Sequence, residues 1–213
     1  MSTSNLIRWG GLSIFLGGSL WAMQKIGWQL FIGNQDPLSY PQPAATILWI
    51  MGLTAALLIL LGLPTLYAHQ ARQAGRLGLI AFVIVFIGMA LVTGNAYFGV
   101  FIQAGLADLI VLAEKAGVIV QEPVAAGIGF MTTLLLYTLG WLLFGLSSLK
   151  ARVLLRWAAV VVLVGLVTGF LFLATSFSLL GFPITEIGIA WLGFALWQKS
   201  SDVLAQVEPM TEF

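Results

Sequence analysis

The sequence predicts an all-α fold: a polytopic transmembrane helix bundle of about six spans, with one further helix lying at the membrane interface. Three observations carry this expectation. Of 213 residues, 60% are hydrophobic and only 8% charged. A soluble domain carries roughly 45–50% apolar and about 25% charged residues, so this chain has too little charge to cover a water-facing surface. The apolar residues also gather into six stretches of the ~20 residues that cross a ~30 Å hydrocarbon core. Finally, the cations concentrate in alternate connections. Nine Lys+Arg against eight Asp+Glu leave net +1. That balance and composition exclude a soluble globular domain, a disordered chain and a nucleic-acid binder.

Taken in order, the first span covers residues 7–30, with Arg8 at its start and Lys25 near its far end, where the amine is expected to snorkel toward the headgroups. Residues 11–20 after Arg8 also resemble a signal peptide with Ala22 at its cleavage point, but Leu20 suits such a site poorly, and the stretch is read as a span. Spans two and three are 44–68 and 77–98, joined by a short basic loop that holds His69, Arg72 and Arg76. Spans four and five are 125–149 and 153–176. Span six covers 177–198, its helix beginning at Phe177 or only at Pro183, and 199–213 form a C-terminal tail. The whole chain reads as one integral membrane domain.

Cationic residues mark the cytoplasmic side. With the N-terminus inside, the inner segments hold Arg8, Arg72, Arg76, Lys150, Arg152, Arg156 and Lys199, and the outer ones only Lys25 and Lys115. Both termini are therefore expected in the cytoplasm. The outer loops carry Asp36 among prolines, then Asp108, Glu114 and Glu122. Tryptophan favours the interface. Trp9, Trp157 and Trp197 fall at inner boundaries and Trp28 and Trp49 at outer ones, whereas Trp21, Trp141 and Trp191 fall deeper and are expected to pack inside. Residues 99–123 are apolar enough to suggest a seventh span, but crossing would bury Asp108, Glu114 and Lys115 and would turn the Lys150–Arg156 cluster outward. An interfacial helix over about 102–116, stopped by Gly117, is expected instead.

A weak duplication links spans two and three with spans four and five: each second helix carries Leu-Val-Thr-Gly, at 91–94 and 166–169. The spacing drifts by eight residues, and chance similarity among apolar helices explains the match better than a repeat. Small pairs one turn apart, Gly18/Ala22, Ala90/Gly94 and Gly165/Gly169, are expected to bring helices of this bundle close together.

The chain has no cysteine and one histidine. Thiolate chemistry, iron–sulfur ligation and multi-histidine metal sites are unavailable within it. No hydrolase, zincin or P-loop pattern occurs, so no catalytic residue, metal ligand or cofactor is assigned. Glu186 is the one acid inside a span, by default a functional candidate. A helix starting at Phe177 puts it near mid-membrane; one starting at Pro183 puts it in the first turn at the outer interface, on the positive end of the helix dipole, and the proline favours this second arrangement. Asn95 and Tyr97 at the outer end of span three, with Gln103 just beyond, could complete a polar pocket with Glu186, capped by Gln24 and Lys25. Tyr137, Thr132 and Thr133 lie within span four, where threonines usually bond to their own helix. His69 is expected to be solvated in its loop.

The segments 66–71, 74–78, 152–157 and 190–197, the last reading Ala-Trp-Leu-Gly-Phe-Ala-Leu-Trp, resemble a broad group of bacterial multi-pass, six-helix membrane proteins of unassigned activity. The resemblance implies a bacterial inner-membrane protein and transfers no site residues. With few polar groups in the spans, the expected role is a non-enzymatic structural or accessory subunit that packs with lipid and with itself or a larger membrane complex. A small transporter or channel for a proton, cation or small solute is the alternative, and an enzyme or binding protein for a lipid or quinone a third.

Overall fold

A computed structural model describes residues 3–33, 43–103, 106, 109, 112–113, 115–117, 124–152, 156–171 and 178–207. They form five α-helices: α1 (Thr3–Phe31), α2 (Ala44–Phe98), α3 (Val124–Ala151), α4 (Arg156–Leu171) and α5 (Ser178–Val207), with a π-turn Gly99–Gln103 continuing α2. No strand occurs among the described residues. Two helical stretches, Ala44–Ile102 and Val124–Ala151, are long and apolar enough to cross a membrane, and Arg156–Leu171 is a shorter apolar helix.

α2 is not one rod. Gly75 has φ 57° and ψ −147°, a conformation open essentially only to glycine, and it breaks the helix. A straight helix would hold Tyr67 and Phe82 roughly 22 Å apart at ~1.5 Å per residue; their rings instead stack at 4.6 Å. The two arms, 44–74 and 76–98, therefore run antiparallel, and Trp49 in one touches Gly99 beyond the other. Residues 69–74, expected in a loop, are helical, and the reversal needs only Gly75. His69 is correspondingly half-buried rather than solvated. Burial first, and the Lys199 charge second, lower its pKa below the ordinary histidine value.

Small residues set the rest of the packing. α1 lies antiparallel to the first arm of α2, where Gly62 meets the Gly10 carbonyl, and to α5, where Gly18 meets Ala190. The second arm lies against α3, with Gly88 on Tyr137 and Gly140 on Val85. Gly145 meets Leu163 of α4, and Gly165 meets Thr185 of α5. The five helices thus close into a ring, α1–α2–α3–α4–α5–α1, with every neighbouring rod antiparallel. Ile14, Ile59, Leu63, Met89, Trp141, Phe144, Leu192 and Leu196 fill its centre. The Gly18 and Gly165/Gly169 pairs pack inside as expected. Ala90/Gly94 do not: both are exposed, and a Cβ on Gly94 would meet nothing within 4 Å. The two Leu-Val-Thr-Gly segments share only their threonine back-bonds, Thr93 to Met89 and Thr168 to Val164, each at 2.8 Å.

The end of the bundle that holds Phe31, Ala44, Phe98, Val124 and Ser178 is here called the upper end. At the lower end the Ser148 hydroxyl donates to Gln70 Oε1 at 2.9 Å, with both residues buried. Ser148→Ala would leave that amide oxygen without a partner, and thermal unfolding in detergent should show a loss of about 1–3 kcal/mol. α3 stops at Arg152, which takes φ 55°, and α1 stops at Gly33, whose N–H donates to the Trp28 carbonyl at 2.8 Å. The expected stop at Gly117 is also found, with φ 74° and the Ala116 N–H donating to Leu112 and Ala113. Leu106, Leu109 and Leu112 there are exposed at a spacing of three; nearly half of the expected interfacial helix, including Asp108 and Glu114, lies outside the described residues, as do 153–155 and 172–176 of span five. α5 runs on to Val207, through much of the expected tail.

Candidate functional site

α5 begins at Ser178, so Pro183 lies inside the helix instead of opening it. Glu186 is eight residues from that start, roughly 12 Å along the axis at ~1.5 Å per residue. The outer-interface placement that Pro183 favoured is therefore corrected. Glu186 sits well inside the bundle and is 1% exposed.

Its carboxylate meets a partner from the opposite wall. The Tyr137 hydroxyl of α3 donates to Glu186 Oε1 at 2.7 Å. The second oxygen, Oε2, is buried without a hydrogen-bond partner, and so is Gln24 Oε1 of α1. Both residues line one cavity of about 390 Å³ in the upper half of the bundle, bounded by α1, both arms of α2, α3 and α5. A carboxylate in apolar surroundings is costly unless paired and hydrogen-bonded, and here one of its two oxygens is left without a bond. Lys25 lines the same space and acts electrostatically on Glu186. Its ammonium lies 5.9 Å from the Trp21 ring centre and 6.0 Å from that of Phe182, within cation–π range. The expectation that Lys25 snorkels to the headgroups is thus corrected: the helix turns it inward.

Local sequence explains how the site is held. Trp21, buried on α1, meets the Tyr137 ring edge-on at 5.8 Å and fixes the phenol. Gly88 lets the second arm of α2 press on the Tyr137 backbone. Trp49 and Trp28 pack edge-on at 5.3 Å above the cavity. Thr132 and Thr133 bond back to the Ile128 and Gly129 carbonyls at 2.8 and 2.9 Å, as expected of helix threonines.

Of the expected pocket residues, Glu186 and Asn95 share the cavity, with Asn95 at its exposed rim. Tyr97 does not join them: it is 53% exposed and packs on Phe101 at 4.7 Å. The side chain of Gln103 lies outside the described residues. Tyr137 is the member that sequence reasoning undervalued. Its signal was a phenol in mid-span, a polar tip that needs a partner when buried. Among the tryptophans, Trp21 and Trp141 are buried as expected, but Trp191 is 39% exposed and faces outward. No cluster of metal-ligating side chains occurs among the described residues.

No family model matches the chain. No curated protein and no solved structure matches it either.

Proposed function

We propose that the chain is a six-span protein of the bacterial inner membrane that holds a small molecule in the cavity between its helices, with Glu186 as the residue that binds it or carries its proton, as in a small transporter. The observation that carries the reading is the Tyr137–Glu186 bond in the wall of the cavity, with Glu186 Oε2 buried there and unpartnered. A structural subunit would be better served by an acid among headgroups and helices closed on one another. A buried acid beside a cavity is instead the arrangement of a binding pathway.

The membrane part of the reading rests on the surface. Large apolar side chains such as Leu61, Ile80, Leu135 and Phe170 stand exposed on the outside of the ring while glycines and alanines line the contacts. That is how helices pack where lipid offers no hydrophobic drive. The two arms of α2 count as separate rods, which gives six with α1, α3, α4 and α5. Arg8, Arg72, Arg76, Lys150, Arg152, Arg156 and Lys199 all belong to the lower end, the pattern of a cytoplasmic face with both termini inside. The native chain has no cysteine, so single-cysteine labelling is clean. Val124→Cys should react with a membrane-impermeant maleimide on intact cells, and Gln73→Cys only after permeabilisation; the reverse result would invert the orientation.

A hydrophobic carbodiimide tests the site. It should add once to Glu186 of the purified protein, as read by intact mass and peptide mapping, and Glu186→Gln should abolish that adduct. An unreactive Glu186 in the folded protein would show that the cavity does not admit small molecules, and the binding reading would fall.

A further inference from the structure

We propose that the cavity seats the head of a zwitterionic lipid of the phosphoethanolamine type, which reaches it sideways from the bilayer. This rests on the cavity's being a binding site and names what binds there. Two buried acceptors, Glu186 Oε2 and Gln24 Oε1, belong to residues of the cavity wall, lack partners and ask for N–H donors. Lys25, on the same wall, asks for an anion. Lys25 and Glu186 attract each other across the space without a direct hydrogen bond, so a ligand with a single charge would upset the balance of the pair. A head with an ammonium for Glu186 and Gln24 and a phosphate for Lys25 satisfies both. The Trp49 indole lines the same space and adds aromatic surface that attracts an ammonium, whereas the Trp21 ring is already approached by Lys25.

The wall between α3 and the second arm of α2 points to a lipid as the source of that head. Phe130 and Met131 line the cavity, yet they are 57% and 59% exposed on the flank of the bundle. A Cβ on Gly127 or Gly129 would meet nothing within 4 Å, so this stretch of α3 stands away from its neighbours. Met131 also belongs to an apolar outer face of α3 with Val124, Gly127, Ile128 and Leu135. A largely apolar cavity that holds a few polar groups and continues through one side chain onto an apolar helix face matches an amphiphile, its head at those groups and its acyl chain on α3.

Native mass spectrometry of the delipidated full chain tests this with phosphatidylethanolamine and phosphatidylglycerol, and calorimetry with free phosphoethanolamine. One phosphatidylethanolamine should be retained about tenfold more tightly than phosphatidylglycerol. Glu186→Gln and Lys25→Met should each remove that preference, and Lys25→Arg should keep it. Met131→Trp, which narrows the flank, should weaken the lipid and leave phosphoethanolamine unchanged. Thermal melts identify any variant that fails to fold, and the wild-type comparison of the two lipids stands without the variants. Equal retention of both lipids, or a preference indifferent to Glu186 and Lys25, overturns the proposal. Binding of phosphoethanolamine alone, dependent on Glu186, overturns the lateral lipid route while the cavity stands as a binding site. Carbodiimide labelling of Glu186 with neither ligand bound overturns the ligand class alone.

Discussion

Tyr137→Phe is expected to destabilise the bundle by about 1–3 kcal/mol, because it leaves a buried carboxylate with no hydrogen bond at all. In wild type the phenol supplies the one bond that Glu186 Oε1 accepts, at 2.7 Å, while Oε2 has none. Glu186→Gln should cost less, since the amide retains an oxygen that can accept from the hydroxyl. The pair should also couple: a double-mutant cycle between Tyr137→Phe and Glu186→Gln should give an interaction of about 0.5–3 kcal/mol. The triple variant Tyr137→Phe/Glu186→Met/Lys25→Met removes the phenol hydroxyl and both charges and should melt at or above wild type, because apolar replacement of a whole buried polar cluster is often neutral or stabilising. Carbodiimide reactivity at position 186 should be lost in the same variant. Stability gained as reactivity is lost is the signature of a polar group kept for what it binds. A neutral Tyr137→Phe with no coupling would mean that the bond does not form.

The second large effect concerns helix contact. A Cβ on Gly140 would lie 2.5 Å from the Val85 Cα and 2.6 Å from its nitrogen, so the obstacle is backbone, which cannot rotate aside. Gly140→Val should destabilise the α2–α3 contact by about 3 kcal/mol, the upper part of the range for overpacked cores. The readout is unfolding in mixed micelles. Because this contact forms the wall on which Tyr137 stands, carbodiimide labelling of Glu186 should change with it. Gly94 is the control. It is exposed on the same arm, with nothing within 4 Å of a Cβ, and Gly94→Ala should be neutral or stabilising by about 0.5–1 kcal/mol through helix propensity. Equal effects at the two glycines would mean that the close approach at Gly140 is not real.

Much of the fold was legible because its signals are local. Apolar length alone gave the rods, and Gly117 stops its helix where the reading put the stop. The break between the two arms of α2 was legible as well, though not its economy: the short basic segment with His69, Arg72 and Arg76 suggested a loop, and the structure keeps 69–74 helical up to Gly75. The site was less legible. Glu186 and Asn95 were found by their polarity in apolar surroundings, and they meet. Tyr97 sits just two residues beyond Asn95, yet it points outward, because a helix turns about 100° per residue and neighbouring positions do not share a face. Lys25 was misplaced for a related reason. Composition says that a terminal lysine reaches for water, but the rotation of α1 against α2 and α5 decides which way it points.

The sequence by itself determined the all-helical class, the apolar outer surface and the clustering of cations at one end. Each depends on composition and on spacing along a single segment. Only the tertiary structure decided that Tyr137 would meet Glu186, 49 residues away in the chain, and that Lys25 would join Gln24 in the cavity, as a cap on the pocket, instead of turning outward. The physical reason is that helix rotation and approach are set by small-residue contacts between non-consecutive rods, such as Gly88 on Tyr137 and Gly18 on Ala190. No single segment carries that information. It exists only once both faces of a contact are in place.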